Sequence, residues 1–205
     1  MVQVLAITDY IDSLAEAETR FGISRNDEPS FFTEWSSDLP ELTNGEKERL
    51  DLIKQRYLYH RQYGHLLENV VNFIVIAPLL ELAGFYDPPF RLRSEVSVRL
   101  EIEDRDKKVY QGRIDSLVIQ ENFWIILVEA KRTSFNIEVA LPQALAYMSA
   151  NPQPQKASFG LVSNGAYSMF VKLEQSQYGF SDDFSLNRQH NELYDVLRIL
   201  NRLKG

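Results

Sequence analysis

Phe123-Trp124-Ile125-Ile126-Leu127-Val128-Glu129-Ala130-Lys131 is apolar without a break until Glu129, and then carries two charges one residue apart. Strict alternation would mark a strand with one wet face. An unbroken apolar run bounded by turn residues marks a central strand covered on both faces, so helices are expected on both sides of its sheet. Glu129 and Lys131, two positions apart, share one face at the C-terminal end of that strand. Upstream, Gln120-Glu121-Asn122 reads as a turn, Val109 to Ile119 as the strand entering it, and Val96 and Val98 open a strand before the charged turn Glu103 to Lys107, giving a three-strand meander. Downstream, a helix is expected from Ile137 to Met148, then a loop from Asn151 to Lys156. Two strands follow, Ala157 to Ser163 and Tyr167 to Glu174, joined by Asn164-Gly165, both of which accept positive φ and so signal a hairpin. Residues 175 to 187 read as loop. Leu193, Val196, Leu197, Leu200 and Leu203 mark an amphipathic C-terminal helix.

Before the strands come helices. Residues 9 to 21 pattern as a first helix with Ile11, Leu14 and Phe21 apolar, and Asn26 to Asn44 is polar and turn-rich enough for a loop or arm. Asn44 is placed to cap a helix that begins near Glu46 and carries Leu50, Ile53 and Tyr57. After Gly64 a more apolar helix runs from His65 to Ala83 and is closed by Gly84. The expected fold class is therefore α/β, a mixed β-sheet flanked by helices on both faces. The expected division is an acidic N-terminal helix and arm over residues 1–44 and one α/β domain over 45–205.

With 205 residues, 44% hydrophobic and 25% charged, the chain has the composition of an ordinary globular domain with one substantial core. It contains no cysteine, which excludes disulfides, thiolate zinc sites and iron–sulfur clusters and leaves oxygen and nitrogen ligands suited to hard cations such as Mg²⁺. The first residues lack a basic region and a short apolar core before a small-residue cleavage site. The most apolar run, Val70 to Leu82, is interrupted by Asn72, Pro78 and Glu81. A soluble, cytoplasmic protein without a membrane partner is the expectation. The net charge of -7 is concentrated at one end: residues 1–50 hold eleven acids against Arg20, Arg25, Lys47 and Arg49, and the remaining 18 acids and 18 bases cancel. The overall acidity is thus no argument against a nucleic-acid partner. The acidic N-terminal stretch reads as a solubilising face or, more sharply, as a nucleic-acid mimic covering the basic side of a site until a partner displaces it.

A turn centred on Glu121 pairs Asp115 with Leu127, one diagonal step from Glu129, and brings two carboxylates and an ammonium within reach of one another. Two half-buried carboxylates alone would force one to take a proton, whereas a divalent cation between them keeps both ionised. Lys131 completes a set suited to phosphodiester hydrolysis, in which negative charge accumulates around phosphorus and needs a cation nearby.

These residues resemble the PD-(D/E)xK nuclease superfamily: a helix with an acid (Glu68), an aspartate at a strand end (Asp115), then Glu129-Ala130-Lys131 on the next strand. Gln143 and Tyr147, four apart on the following helix, look like the QxxxY element of the subclass found in recombination-repair helicase-nucleases. The segments GRIDSLVI, WIILVEAKR, LPQALAYM and FGLVSNGAYSMFVKL look most like the N-terminal nuclease domain of type I restriction enzyme motor subunits, over roughly residues 65 to 174. The resemblance implies a restriction-endonuclease-like core and a Mg²⁺- (or Mn²⁺-) dependent deoxyribonuclease whose products carry 5′-phosphate and 3′-hydroxyl ends. It implies Asp115, Glu129 and the Ala130 carbonyl as metal ligands, Glu68 as an additional or water-mediated ligand, Lys131 as positioner of the attacking water and Gln143 as an orienting residue. Arg113 and Arg132, beside the motif, are expected phosphate contacts, with Tyr147 grouped with them. The chain departs from the pattern at Ile114, where the name-giving proline would stand, and no helicase motor motif is present. DNA is the expected partner, with a protein partner or a second copy possible and no nucleotide cofactor.

The competing interpretation of Asp115, Glu129 and Lys131 is a structural salt bridge in a catalytically inactive nuclease-fold module that binds nucleic acid or docks onto a subunit. Glu68 could equally sit at the solvent edge of its helix, Gln143 and Tyr147 could pack as ordinary helix residues, and Pro142 could restart their helix. Nothing in the residues separates DNA from RNA as substrate. His60 and His65 bracket Gly64 at a spacing unsuited to a shared metal.

Overall fold

The computed structural model describes residues 4–6, 11–91, 96–101, 109–114, 118–120, 123–127, 137–151 and 153–204; for residues 4–6, Glu68 and the strands between 96 and 127 it describes the backbone alone. The elements are β1 (Val4–Ala6), α1 (Leu14–Phe21), β2 (Ser24–Arg25), α2 (Asn44–Arg61), α3 (Glu68–Val71), α4 (Ala77–Leu82), β3 (Val96–Glu101), β4 (Val109–Ile114), β5 (Val118–Gln120), β6 (Phe123–Leu127), α5 (Leu141–Met148), β7 (Ser158–Ser163), β8 (Tyr167–Glu174), β9 (Gln177–Phe180), β10 (Phe184–Ser185) and α6 (Leu193–Lys204).

Among the described residues the principal sheet has seven strands, in the order β2-β9-β8-β7-β6-β5, with β10 also pairing β8. It is mixed: β6 runs parallel to β7 and β2 parallel to β9, and the other neighbours are antiparallel. FWIIL is an interior strand, paired on both edges. Alternation along β7 and β8 sends Leu161 and Phe170 into one core with Leu50, Ile53 and Tyr57 of α2, Leu79 and Leu80 of α4, and Val196, Leu197 and Leu200 of α6. Val162 and Val171 enter a second core with Ala17 of α1 and Ala144, Leu145 and Met148 of α5. Helices therefore cover both faces, and the α/β class expected from the sequence is the observed one. No helix among the described residues is long and apolar enough to cross a membrane.

Several local expectations change. The cap of α2 is Thr43: its hydroxyl accepts the Glu46 N–H at 3.3 Å while the Glu46 carboxylate accepts the Thr43 N–H at 2.7 Å. This reciprocal capping box starts the helix at Asn44 and satisfies two otherwise orphaned donors. The helix expected from His65 to Ala83 begins at Glu68 and contains a π turn, Asn72–Ile76. Pro78 follows that turn; it has no N–H for the Ile74 carbonyl and its ring would crowd that oxygen in a regular helix, so the widened turn absorbs it. Gly84 closes α4 as expected, with φ 78° and the paired bonds Gly84 N–H to Glu81 O and Phe85 N–H to Leu80 O of a Schellman motif.

Residues 175–187, expected as loop, contain β9 and β10. These strands have four and two residues, too short to show a period, and pairing to β8 defines them. The three-strand meander is also corrected: β3 and β4 belong to a separate sheet of order β1-β4-β3, where β1 pairs parallel to β4, whereas β5 and β6 belong to the principal sheet. The segment from Asn26 to Thr43 is irregular apart from a 3-10 turn at Thr33–Trp35, yet it is not loose. Phe32 and Leu42 are buried in the first core, with Phe31, Trp35 and Leu39 packed beside them. From β8, Lys172 Nζ donates to the Phe31 carbonyl and to Glu34 Oε1, both at 2.8 Å.

Candidate functional site

The structure bears on the expected site residues unequally. Asp115, Glu129, Ala130, Lys131 and Arg132 lie outside the described residues. Arg113 is in β4, its backbone paired with Ser97 of β3. Glu68 is the first residue of α3. Gln143 is the third residue of α5 and half-buried, and Tyr147 follows it by one turn with its ring in the second core, 3% exposed. Gln143 and Tyr147 are thus together on one helix. A 3-10 turn at Ile137–Ala140 runs directly into α5, with Pro142 in its first turn, so the proline restarts the helix without bending it.

What positions a site is the carboxyl end of the parallel pair β6–β7. Parallel strands need a long crossover. Here the crossover carries α5, and the last register pair is Leu127 with Ser163. The antiparallel pairing of Val118 with Trp124 has the register that a turn centred on Glu121 requires, with a bulge between Val118 and Gln120. At Ser163 the chain turns back. The Ser163 hydroxyl donates to the Tyr167 carbonyl at 2.9 Å, accepts the Gly165 N–H at 3.1 Å and lies 3.0 Å from the Ser168 hydroxyl. Asn164 Oδ1 accepts the N–H groups of Ala166 and Tyr167, and only Gly165, at φ 81°, has positive φ in the turn.

Two helices meet that turn. Gly165 has no room for a side chain, because a Cβ there would stand 2.5 Å from Val71 Cγ1 of α3. Glu68 precedes Val71 by one helical turn, about 4.5 Å of rise. Tyr57, near the end of α2, is buried in the same core as Val71 of α3, with Ala166 of the turn packed against it, and that burial pushes its hydroxyl above the usual tyrosine range. The end of α2, the start of α3 and the β7–β8 turn thus converge where β6 ends. The contact between Val71 and Gly165 is absent from the sequence reading, since no local pattern links a helix to a turn so distant in the chain. Among the described residues no group of three or more His, Asp or Glu side chains is arranged to hold a metal ion.

No protein-family model matches this sequence, and no curated protein is significantly similar to it.

Proposed function

We propose that this chain is a metal-dependent nuclease that hydrolyses DNA phosphodiester bonds on a restriction-endonuclease-like core. The observation that supports this reading is the convergence of the Glu68 helix, the β7–β8 turn and the end of β6 at one edge of a mixed sheet, directly before Glu129-Ala130-Lys131 in the chain. In open α/β sheets the carboxyl ends of parallel strands are where ligands bind, because the loops diverge there and leave a crevice.

The donor set fits a hard divalent cation, being carboxylate and carbonyl oxygen without sulfur: Asp115, Glu129 and the Ala130 carbonyl would hold it, with Glu68 as a further or water-mediated ligand. When bound, Mg²⁺ or Mn²⁺ supplies Lewis-acid stabilisation of charge on the phosphoryl oxygens. Lys131 positions the attacking water and offsets charge developing on the phosphate. Gln143 orients Lys131 or the water from the start of α5, while the buried Tyr147 fixes that helix on the sheet. Arg113 and Arg132 hold flanking phosphates.

The test is to incubate the purified chain with linear, circular and single-stranded DNA, with and without Mg²⁺ or Mn²⁺, beside Glu129→Ala and Lys131→Ala. Cleavage that requires the metal and is lost in both variants is expected. Cleavage equal in all three proteins would refute the site, and binding without any cleavage would identify a non-catalytic module instead.

A further inference from the structure

One exposed flank of α2 carries Arg56, Tyr59, His60 and Tyr63 at the spacing of a helical stripe that continues into the following turn, about 100° around the helix from the buried Leu50, Ile53 and Tyr57. Tyr59 is 55% and Tyr63 74% exposed. Their rings stand edge to face, with centroids 5.5 Å apart and planes at 71°, and the His60 ring stands at 80° to Tyr59. The rings do not stack on one another, so ring faces remain open to a ligand. Between Asp51 and Glu68 the chain has no acid at all; it has Lys54, Arg56 and Arg61 and two of the three histidines of a protein whose net charge is -7. Lys54 and Arg61, seven residues apart on the other side of the helix, are taken up by the 187–190 segment, Lys54 Nζ donating to the carbonyls of Arg188, Gln189 and His190 and Arg61 to Asn187 Oδ1, so Arg56 is the cation that lies within the stripe.

We propose that this stripe is a stacking platform for single-stranded nucleic acid that feeds the candidate site. Exposed rings beside Arg56, in a stretch without acids, match bases and phosphate together: each base offers a π face, and each phosphate a negative charge. A duplex keeps its bases stacked on one another and presents little to an aromatic face, which selects the single strand. A second copy of this chain is a poor occupant, since a two-fold contact on this stripe would set Arg56 against its own image. The position is also apt. The stripe ends at Tyr63, and five residues of chain, at most about 18 Å, separate its Cα from that of Glu68. The inference rests on the nuclease reading for the use made of the strand; the binding is independent of it.

Anisotropy of a labelled mixed-sequence oligonucleotide, single-stranded and as a duplex, is measured on the full chain in EDTA, so that cleavage plays no part. The single strand is expected to bind more tightly. Tyr59→Ala/Tyr63→Ala should weaken it at least tenfold, as loss of one or two stacked bases does, with an unchanged melting curve. Tyr59→Phe/Tyr63→Phe should restore it, and Arg56→Gln should flatten the salt dependence. Equal or tighter duplex binding, alanine variants that bind like wild type, displacement of the strand by phosphatidylserine vesicles, or a dimer abolished by the alanine pair would each overturn the proposal. A chain that cleaves nothing yet binds single strands through these tyrosines would leave the platform standing and remove the nuclease reading. Metal-dependent cleavage untouched by the alanine pair would do the reverse.

Discussion

Replacing Lys172 by methionine removes an ammonium that ties the irregular Asn26–Thr43 segment to the sheet, while keeping an apolar stem of similar length. Lys172 is 6% exposed; besides Phe31 O and Glu34 Oε1 its Nζ has Glu174 at 3.4 Å and the Phe31 ring at 5.1 Å. The substitution takes the Lys172 bond from the Phe31 carbonyl and leaves the Glu34 carboxylate, whose other oxygen is buried without a hydrogen-bond partner among the described residues, without its paired cation. Breaking one side of a buried pair costs about 3–5 kcal/mol. Glu34 keeps a quarter of its side chain in contact with solvent, so the low end, about 3 kcal/mol, is expected. For a chain of this size that lowers Tm by about 6–12 °C. Urea unfolding followed by far-UV circular dichroism and by tryptophan fluorescence measures it, Trp35 reporting from within the segment. The double variant Lys172→Met/Glu34→Leu should be more stable than the single one by about 1–2 kcal/mol, since no buried charge is then left alone. A single variant within about 0.5 kcal/mol of wild type, or a double variant no better than the single, would show that this ion pair does not pin the segment.

Gly165→Ala combines a φ of 81° with a Cβ 2.5 Å from Val71 Cγ1, and should cost about 2–4 kcal/mol; Val71→Ala in the same chain should recover the steric part and leave the backbone part, as a double-mutant cycle in urea would read. Tyr178 donates its hydroxyl to Glu18 at 2.8 Å, and burial first, then that carboxylate, holds its pKa above the ordinary value of about 10. Because the folded value is the raised one, its contribution is complete below about pH 10 and declines as the unfolded chain ionises above it, until pH passes the folded value. Alkaline unfolding curves should therefore lose part of their pH dependence in Tyr178→Phe, and an unaltered slope would count against the argument.

The interior strand was legible because FWIIL has apolar residues at both parities, and a strand has only two faces to fill. The C-terminal helix and the Gly84 stop were legible for the same reason: each follows from a local rule. Thr43 was equally available, three residues before Glu46, but Asn44 beside it is as good a cap by type, and only the reciprocal bonds separate them. β9 could not be read, since Gln-Tyr-Gly-Phe becomes a strand through β8 on one side and β2 on the other. Phe32 and Leu42 belong to no periodic element, so burial by an irregular segment left no trace in the pattern. At the candidate site, sequence supplied the residue types, and the fold supplied the edge at which helix, turn and strand end meet. The tyrosines of α2 lay between: the acid-free run is visible in one dimension, but which rings face outward follows from which face Leu50 and Ile53 bury.

The N-terminal segment finds its partners late. Asn26 bonds Gln177, 151 residues further on, and Lys172 holds Phe31 across 141. At ribosomal speeds of about 5–20 residues per second, these partners emerge roughly 7–30 s after the segment itself. Throughout that interval Phe31, Phe32, Trp35, Leu39 and Leu42 have no sheet to cover them. During its own synthesis the chain thus carries five large apolar side chains ahead of the strands that bury them, and a chain truncated before β8 is expected to aggregate.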